Sequence, residues 1–211
     1  MMFSGLVRYI AQVKSFRNNT LEILTSYNQA HIGDSIAING ACLTAIRVFQ
    51  GGMVMELSTH TQNHIATENY AQGAFVHLEP ALQVGDRFDG HIVQGHIDGI
   101  GRITDIKHHR DSSDFWIESS KEVLSYIISK GSICIEGISL TIVESTKDAF
   151  KLTLIPHTLQ NTLFGKFHIG RRVNLETDII TRSVVSTLRT IMQNKPDSFS
   201  WSEIDMASLS Y

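Results

Sequence analysis

Cysteine is scarce in this chain of 211 residues: only Cys42 and Cys134 occur. Two thiols are too few for a disulfide framework, and they lack the spacing of a zinc module. They suit a reducing, cytoplasmic setting. His91 and His96 share one short segment, but no third or fourth ligand gathers beside them, so no metal is expected. Proline is nearly absent too, with Pro80, Pro156 and Pro196 each at an expected strand end or loop. No apolar run approaches the roughly 20 residues of a membrane helix. Charge of one sign never accumulates, and the formal net charge is only −3, which argues against nucleic acid and anionic membranes as partners. The opening MMFSGLVRYIAQV has no basic region followed by a long apolar run, so no signal peptide is expected.

What the chain does have is a stretch that occurs twice. Residues 35–44 read SIAINGACLT and residues 132–141 read SICIEGISLT, an offset of 97. The offset holds through LSTHT (57–61) against LIPHT (154–158) and GAFVHLE (73–79) against GRRVNLE (170–176). From Ser35 to Glu79 against Ser132 to Glu176, 13 of 45 positions are identical. A period this long marks a duplicated domain rather than a solenoid. FSGLV (3–7) aligns with VQGHI (93–97) at an offset of 90, which sets Gly5 opposite Gly95. The second copy therefore carries seven more residues (97 − 90) before its core motif, in 108–114 or in 120–131.

Within each copy the pattern is that of short strands between turns. A strand is expected over 3–16, then RNNT as a turn and a return strand over 21–27. Ile36 and Ile38 alternate with small residues before Asn39-Gly40, a strong hairpin signal. Strands over 41–48, 53–58 and 75–82 follow, with a helical turn within 62–70. In the second copy SICIEG, ISLTIVE, FKLTLI and RRVNLETD repeat the series, and 120–131 has helical character. The spacing predicts an all-β fold of two small barrels. After Asp178, Ile180, Val184, Leu188 and Ile191 fall at helical spacing, so a helix is expected over 179–194 and a loosely ordered tail over 195–211.

MFSGLV, SIAINGACLT, DGHIVQGHIDG, GSICIEGISLT, LIPHTLQNT and RRVNLETD, in that order, resemble the riboflavin synthase family of α-subunit type, built from lumazine-binding domains. The resemblance runs from Met2 to about residue 190. It implies two tandem six-stranded Greek-key barrels, 1–89 and 90–178, and a C-terminal helix that holds a homotrimer. It also implies a reaction: two molecules of 6,7-dimethyl-8-ribityllumazine exchange a four-carbon unit, giving riboflavin and 5-amino-6-(D-ribitylamino)uracil. The active site would lie between the first barrel of one subunit and the second barrel of its neighbour. The dismutation is redox-neutral and implies no cofactor. Left open are an association with lumazine synthase, which barrel holds the donor, and the nucleophile or hydride route at C7.

The resemblance also implies a set of substrate-binding residues. In the first copy these are Ser4, Gly5, Leu6 and Val7, then Cys42, Leu43 and Thr44, then Glu56, Leu57, Ser58, Thr59, His60 and Thr61. In the second they are Gly95, His96 and Ile97, then Lys130, Ser139, Leu140 and Thr141. Thr153, Leu154, Ile155, Pro156, His157 and Thr158 complete the set. The chemistry needs a base for the 7-methyl group of one substrate and a nucleophile or hydride source at C7 of the other. Candidates are His96, Ser139, Thr141, Cys42 and Asp178. Histidine suits proton transfer because it titrates near neutrality. Asp178 stands where the first copy has Ala81, an asymmetry that fits a role in one pocket.

Several of these residues also fit purely structural roles. Cys42 alone reads as a small buried hydrophobe. Glu79 and Glu176 read as carboxylates that satisfy backbone donors, Asn39-Gly40 and Glu136-Gly137 as turn residues, and Asp178 as a helix N-cap. His60 and His157 are equivalent and read as structural or close to ligand. The family more often has threonine at Ser4 and glutamate at His60. The alternative function is a non-catalytic antenna that binds one lumazine or flavin. A flavin-dependent reductase would need a nucleotide-binding α/β domain, and no G-x-G-x-x-G motif follows a strand here.

Overall fold

Alternation along single strands decides which residues face inward. In Ala41–Phe49, Ala41, Leu43 and Ala45 are buried while Thr44 and Ile46 are exposed. That is the period of two a strand imposes. The computed structural model describes residues 2–193. The first six strands are β1 (Tyr9–Arg17), β2 (Thr20–Leu24), β3 (Ser35–Ile38), β4 (Ala41–Phe49), β5 (Gly52–Glu56) and β6 (Phe75–Pro80). They close into an antiparallel barrel in the order β1-β2-β5-β4-β3-β6. The next six are β7 (Gly99–His108), β8 (Ser113–Glu118), β9 (Ser132–Ile135), β10 (Ile138–Ser145), β11 (Ala149–Leu154) and β12 (Arg172–Thr177). They close in the same order, β7-β8-β11-β10-β9-β12.

The two barrels agree residue by residue. Ile36 pairs with Leu43, and Ile133 with Leu140. A bulge between Ala45 and Arg47 recurs between Ile142 and Glu144, and one between Val13 and Ser15 recurs between Ile103 and Asp105. Registers also locate the seven extra residues. Val13 pairs with Ile23 and Ile103 with Ile117, so the offset rises from 90 (103 − 13) to 94 (117 − 23). Four residues therefore enter the β7–β8 hairpin. The remaining three (97 − 94) enter the segment around α2 (Lys121–Leu124).

Short helices follow β5 and β11 at equivalent places: α1 (Thr59–His64) and α3 (Pro156–Asn161). The helical turn expected within 62–70 thus begins three residues earlier and continues as a 3-10 turn over Thr67–Tyr70. The expected strand over 3–16 is corrected more deeply, since β1 starts at Tyr9. Gly5 has φ +74, which breaks an extended run, and the segment before β1 crosses to the other half. Beyond the barrels, α4 (Ile179–Gln193) has Ile180, Val184, Leu188 and Ile191 exposed along one side. It forms a compact unit distinct from the residues up to Asp178. Asn194 and the expected tail, 195–211, lie outside the described residues.

Equivalent groups meet where the halves join. A small buried cluster consists of Phe3 and Val93, equivalent at 90, with Ala37 and Cys134, equivalent at 97. Val7 packs on the core of the second barrel, and its equivalent Ile97 on the core of the first. The polar joint has the same symmetry. His77 Nδ1 lies 2.8 Å from the Glu136 carbonyl and Nε2 accepts from the Leu163 N–H at 2.8 Å. At the equivalent position, Asn174 donates to the Asn39 carbonyl at 2.9 Å and accepts from the Ala66 N–H at 2.8 Å. Ala66 and Leu163 are themselves equivalent. Since the carbonyl can only accept, His77 is the neutral Nδ1–H tautomer. Burial lowers its pKa from 6.5 to about 3.

Candidate active site

Each half sends its leading segment onto the other. The Cys42 N–H donates to the Gly95 carbonyl at 2.9 Å, and the equivalent Ser139 N–H donates to the Gly5 carbonyl at 2.8 Å. The approach is too close for any side chain on either glycine. A Cβ on Gly95 would lie 2.5 Å from Cys42 Cβ, and one on Gly5 would lie 2.7 Å from Ser139 Cβ. Buried carboxylates hold the two loops. Glu79 accepts from the Ser4 N–H and hydroxyl, each at 2.9 Å, and from the Gly5 N–H at 3.2 Å. Glu176 accepts from the Gln94 and Gly95 N–H groups at 2.6 and 2.9 Å. Both glutamates therefore do what their bland reading expects. Burial raises the Glu79 pKa against the pull of these donors.

The result is two like surfaces, each built from both halves. The first is a cavity of about 460 Å³ whose lining includes Cys42, His60, Thr61, Gly95, His96 and Ile97. His64 also lines it, a residue not anticipated from the sequence. Burial pushes the Cys42 thiol up, so it stays protonated, against a hydrogen bond from Ser35. Thr44 lies on the same outward face of β4 as Cys42. On the second surface Gly5 meets Ser139 of β10, and Thr141, two residues along that strand, shares its outward face. Here the structure supplies an unforeseen partner: His91 Nδ1 sits 2.7 Å from Ser139 Oγ. Its Nε2 is buried with no hydrogen-bond partner among the described residues. Burial lowers the His91 pKa, with the Asp178 carboxylate opposing. His96, the expected proton carrier, lines the first surface with Cys42, while the histidine bonded to Ser139 is His91.

Other expected residues divide by strand period. Leu43, Leu57, Leu140 and Leu154 are core residues, so they can offer a ligand only backbone. Glu56 ends β5, Ser58 caps α1 by accepting from the Thr61 N–H at 3.0 Å, and Thr59 begins that helix. Thr153 donates to Asp114 at 2.6 Å, away from the leading segments. Ile155, Pro156 and His157 form the start of α3. Lys130 has φ +68 where its equivalent Gly33 has φ +92, and their N–H groups bond the equivalent carbonyls of Ile142 and Ala45. A slightly larger hollow, about 520 Å³, beside Arg102, Glu118, Asp148 and Arg172 contains none of the expected residues. Its arginines are paired with Glu118 and Glu68. Among the described residues no set of three His, Cys, Asp or Glu side chains is arranged to hold a metal, and no helix is long and apolar enough to cross a membrane.

Comparison with known proteins matches this duplicated architecture. The family model of the lumazine binding domain matches twice, over residues 4–81 and 94–178. Riboflavin synthase from Photobacterium phosphoreum is 32% identical over 203 residues, covering 93% of this chain and 92% of that protein. The enzyme of the same name from Actinobacillus pleuropneumoniae is 34% identical, covering 93% and 94%. That from Bacillus subtilis is 31% identical, covering 92% and 93%. Among solved structures, LumP complexed with riboflavin superposes with a TM-score of 0.74 at 23% identity, over 83% of this chain and 99% of that one, a likeness of fold. The chain belongs to the riboflavin synthase family, a class of tandem lumazine-binding barrels.

Proposed function

We propose that this protein is a riboflavin synthase, converting two molecules of 6,7-dimethyl-8-ribityllumazine into riboflavin and 5-amino-6-(D-ribitylamino)uracil. The observation that carries the reading is the reciprocal crossing: equivalent loops at Gly5 and Gly95 complete equivalent surfaces at Ser139 and Cys42. A reaction between two identical molecules needs two like pockets. Holding both substrates converts an encounter into a near-intramolecular step, worth up to roughly 7–11 kcal/mol of barrier. Curated relatives named riboflavin synthase, aligned over most of the chain, support it.

The finer reading is that the first surface of one subunit works against the second surface of its neighbour. A homotrimer held by α4 in the cytoplasm would supply that arrangement. Hydroxyls at Thr44, Thr141 and Thr158 would read the heterocycle and ribityl chain, and Lys130 would reach the ligand. Ser139, held by His91, offers a hydroxyl for addition at C7, and Asp178 adds charge on that side. The test is incubation of the purified protein with 6,7-dimethyl-8-ribityllumazine alone, followed by riboflavin fluorescence. Riboflavin with no other reactant is the expected result. Tight binding without riboflavin would establish an antenna-like ligand carrier instead.

A further inference from the structure

The first-half cavity differs from an ordinary heterocycle pocket in its charge-bearing groups. His60 and His64 enter from α1 and His96 from the crossing segment, and no carboxylate or lysine is among its lining residues. The rings of His60 and His64 stack with centroids 4.3 Å apart. His64 Nδ1 is 2.8 Å from the His60 carbonyl, which can only accept, so Nδ1 carries the hydrogen. The lone pair of neutral His64 is therefore on Nε2, the nitrogen not tied to the backbone. From β4 the cavity meets Cys42, whose thiol burial keeps protonated. Behind it, Glu176 is turned toward the Gln94 and Gly95 N–H groups. A set of imidazoles with no carboxylate among the pocket's own lining residues favours a negative ligand and can take a proton from it.

We infer that the first-half pocket holds the substrate molecule that loses its 7-methyl proton, with His60 and His64 joining His96 in stabilising the resulting anion. The inference rests on the riboflavin synthase reading and assigns the two pockets different tasks. The C–H bond of the 7-methyl group breaks, its electron pair spreads into the pteridine ring, and the proton passes to an imidazole nitrogen. No oxidant or reductant is involved. The second-half surface, with the Ser139 hydroxyl bonded to His91, is left to act on C7 of the other molecule.

The test is rapid-scan absorbance of the full chain mixed with 6,7-dimethyl-8-ribityllumazine, before turnover. Wild type, His64→Gln and the double variant His60→Gln/His64→Gln are compared, with riboflavin affinity measured separately by fluorescence. Ionised-ring absorbance is expected in wild type, with amplitude falling by about tenfold in the double variant, equivalent to about one pKa unit of lost anion stabilisation. The single variant should fall between. Riboflavin, which carries no such acidic methyl group at that position, should lose much less affinity than the anion loses amplitude. Undiminished anion amplitude alongside riboflavin formation would overturn the assignment alone. Parallel loss of riboflavin affinity would also overturn it, showing that the histidines only shape the pocket. No riboflavin from wild type would overturn the enzymatic reading itself.

Discussion

His77 offers the sharpest test of how the halves are joined. Replacing it with leucine removes the donor to the Glu136 carbonyl and the acceptor for the Leu163 N–H. Both partners are buried backbone groups, and each left unsatisfied costs about 1–3 kcal/mol. The expected loss is about 2–6 kcal/mol, out of the roughly 5–15 kcal/mol typical of a folded domain. Asparagine at the same place should recover much of it, because Asn174 makes the equivalent pair of bonds. Urea unfolding followed by circular dichroism reads the difference.

The same pair of proteins gives a pH signature. The His77 pKa falls from 6.5 to about 3 on folding. Below 6.5 the unfolded chain takes up a proton that the folded chain refuses, so stability falls as pH drops, by roughly 1.4 kcal/mol per pH unit toward 3. Glu136 opposes this. Burial raises its carboxyl from 4.5 to about 7. Its contribution is present below 4.5 and is lost as pH rises through about 7. Between 4.5 and 6.5 the two slopes nearly cancel in wild type. The readout is therefore the difference between wild type and His77→Asn. Wild type should lose about 2 kcal/mol relative to the variant between pH 6.5 and 5. A difference that does not change with pH would refute the buried neutral imidazole. A leucine variant within about 0.5 kcal/mol of wild type would refute the bond argument.

Two further substitutions separate folding from ligand binding. Gly95→Ala puts a methyl group 2.5 Å from Cys42 Cβ at a backbone φ of +80, so the first pocket should distort. Riboflavin affinity is expected to fall by more than about tenfold, and unchanged affinity by fluorescence titration would contradict the close crossing. Lys130→Gly relieves left-handed strain of about 1–2 kcal/mol while freeing the unfolded chain by about 0.5–1 kcal/mol, so stability should stay within about 1 kcal/mol of wild type. Substrate KM should nevertheless rise, and an unchanged KM in steady-state assays would remove the ammonium from the site.

Much of the fold was legible because the duplication is written in core positions. Ile36, Ile38, Leu43 and Leu57 recur 97 residues on as Ile133, Ile135, Leu140 and Leu154, and all are buried. The same positions show where motif adjacency misleads. The motif sets Leu43 among the substrate-binding residues beside Cys42 and Thr44, yet a strand turns alternate residues to opposite sides. If Cys42 and Thr44 face out, Leu43 faces the core, and the period alone could have said so. Residues 3–7 read as a strand because Phe3 and Val7 have strand propensity, whereas their structure is fixed by Glu79 and by a surface on the other half. In the sequence His91 is only half of an incomplete metal site, because its partner Ser139 is 48 positions away.

The polar joint was the least visible feature, and the reason is chemical. Asn39 and Glu136 read as turn residues, and their positive φ values of 45 and 50 agree with that. Each also reaches back within its own half, Asn39 Oδ1 accepting from the His77 N–H and Glu136 Oε1 from the Asn174 N–H. His77 and Asn174 then cross to the opposite carbonyl and the opposite N–H. Histidine and asparagine look unlike in a sequence comparison, as do asparagine and glutamate. Yet each member of a pair presents the same donor or acceptor at the same place. What survived the duplication is a hydrogen-bonding pattern rather than an identity. Divergence was tolerated wherever a new side chain could still satisfy the same buried backbone groups, which is why exchanging His77 for asparagine should succeed where leucine fails.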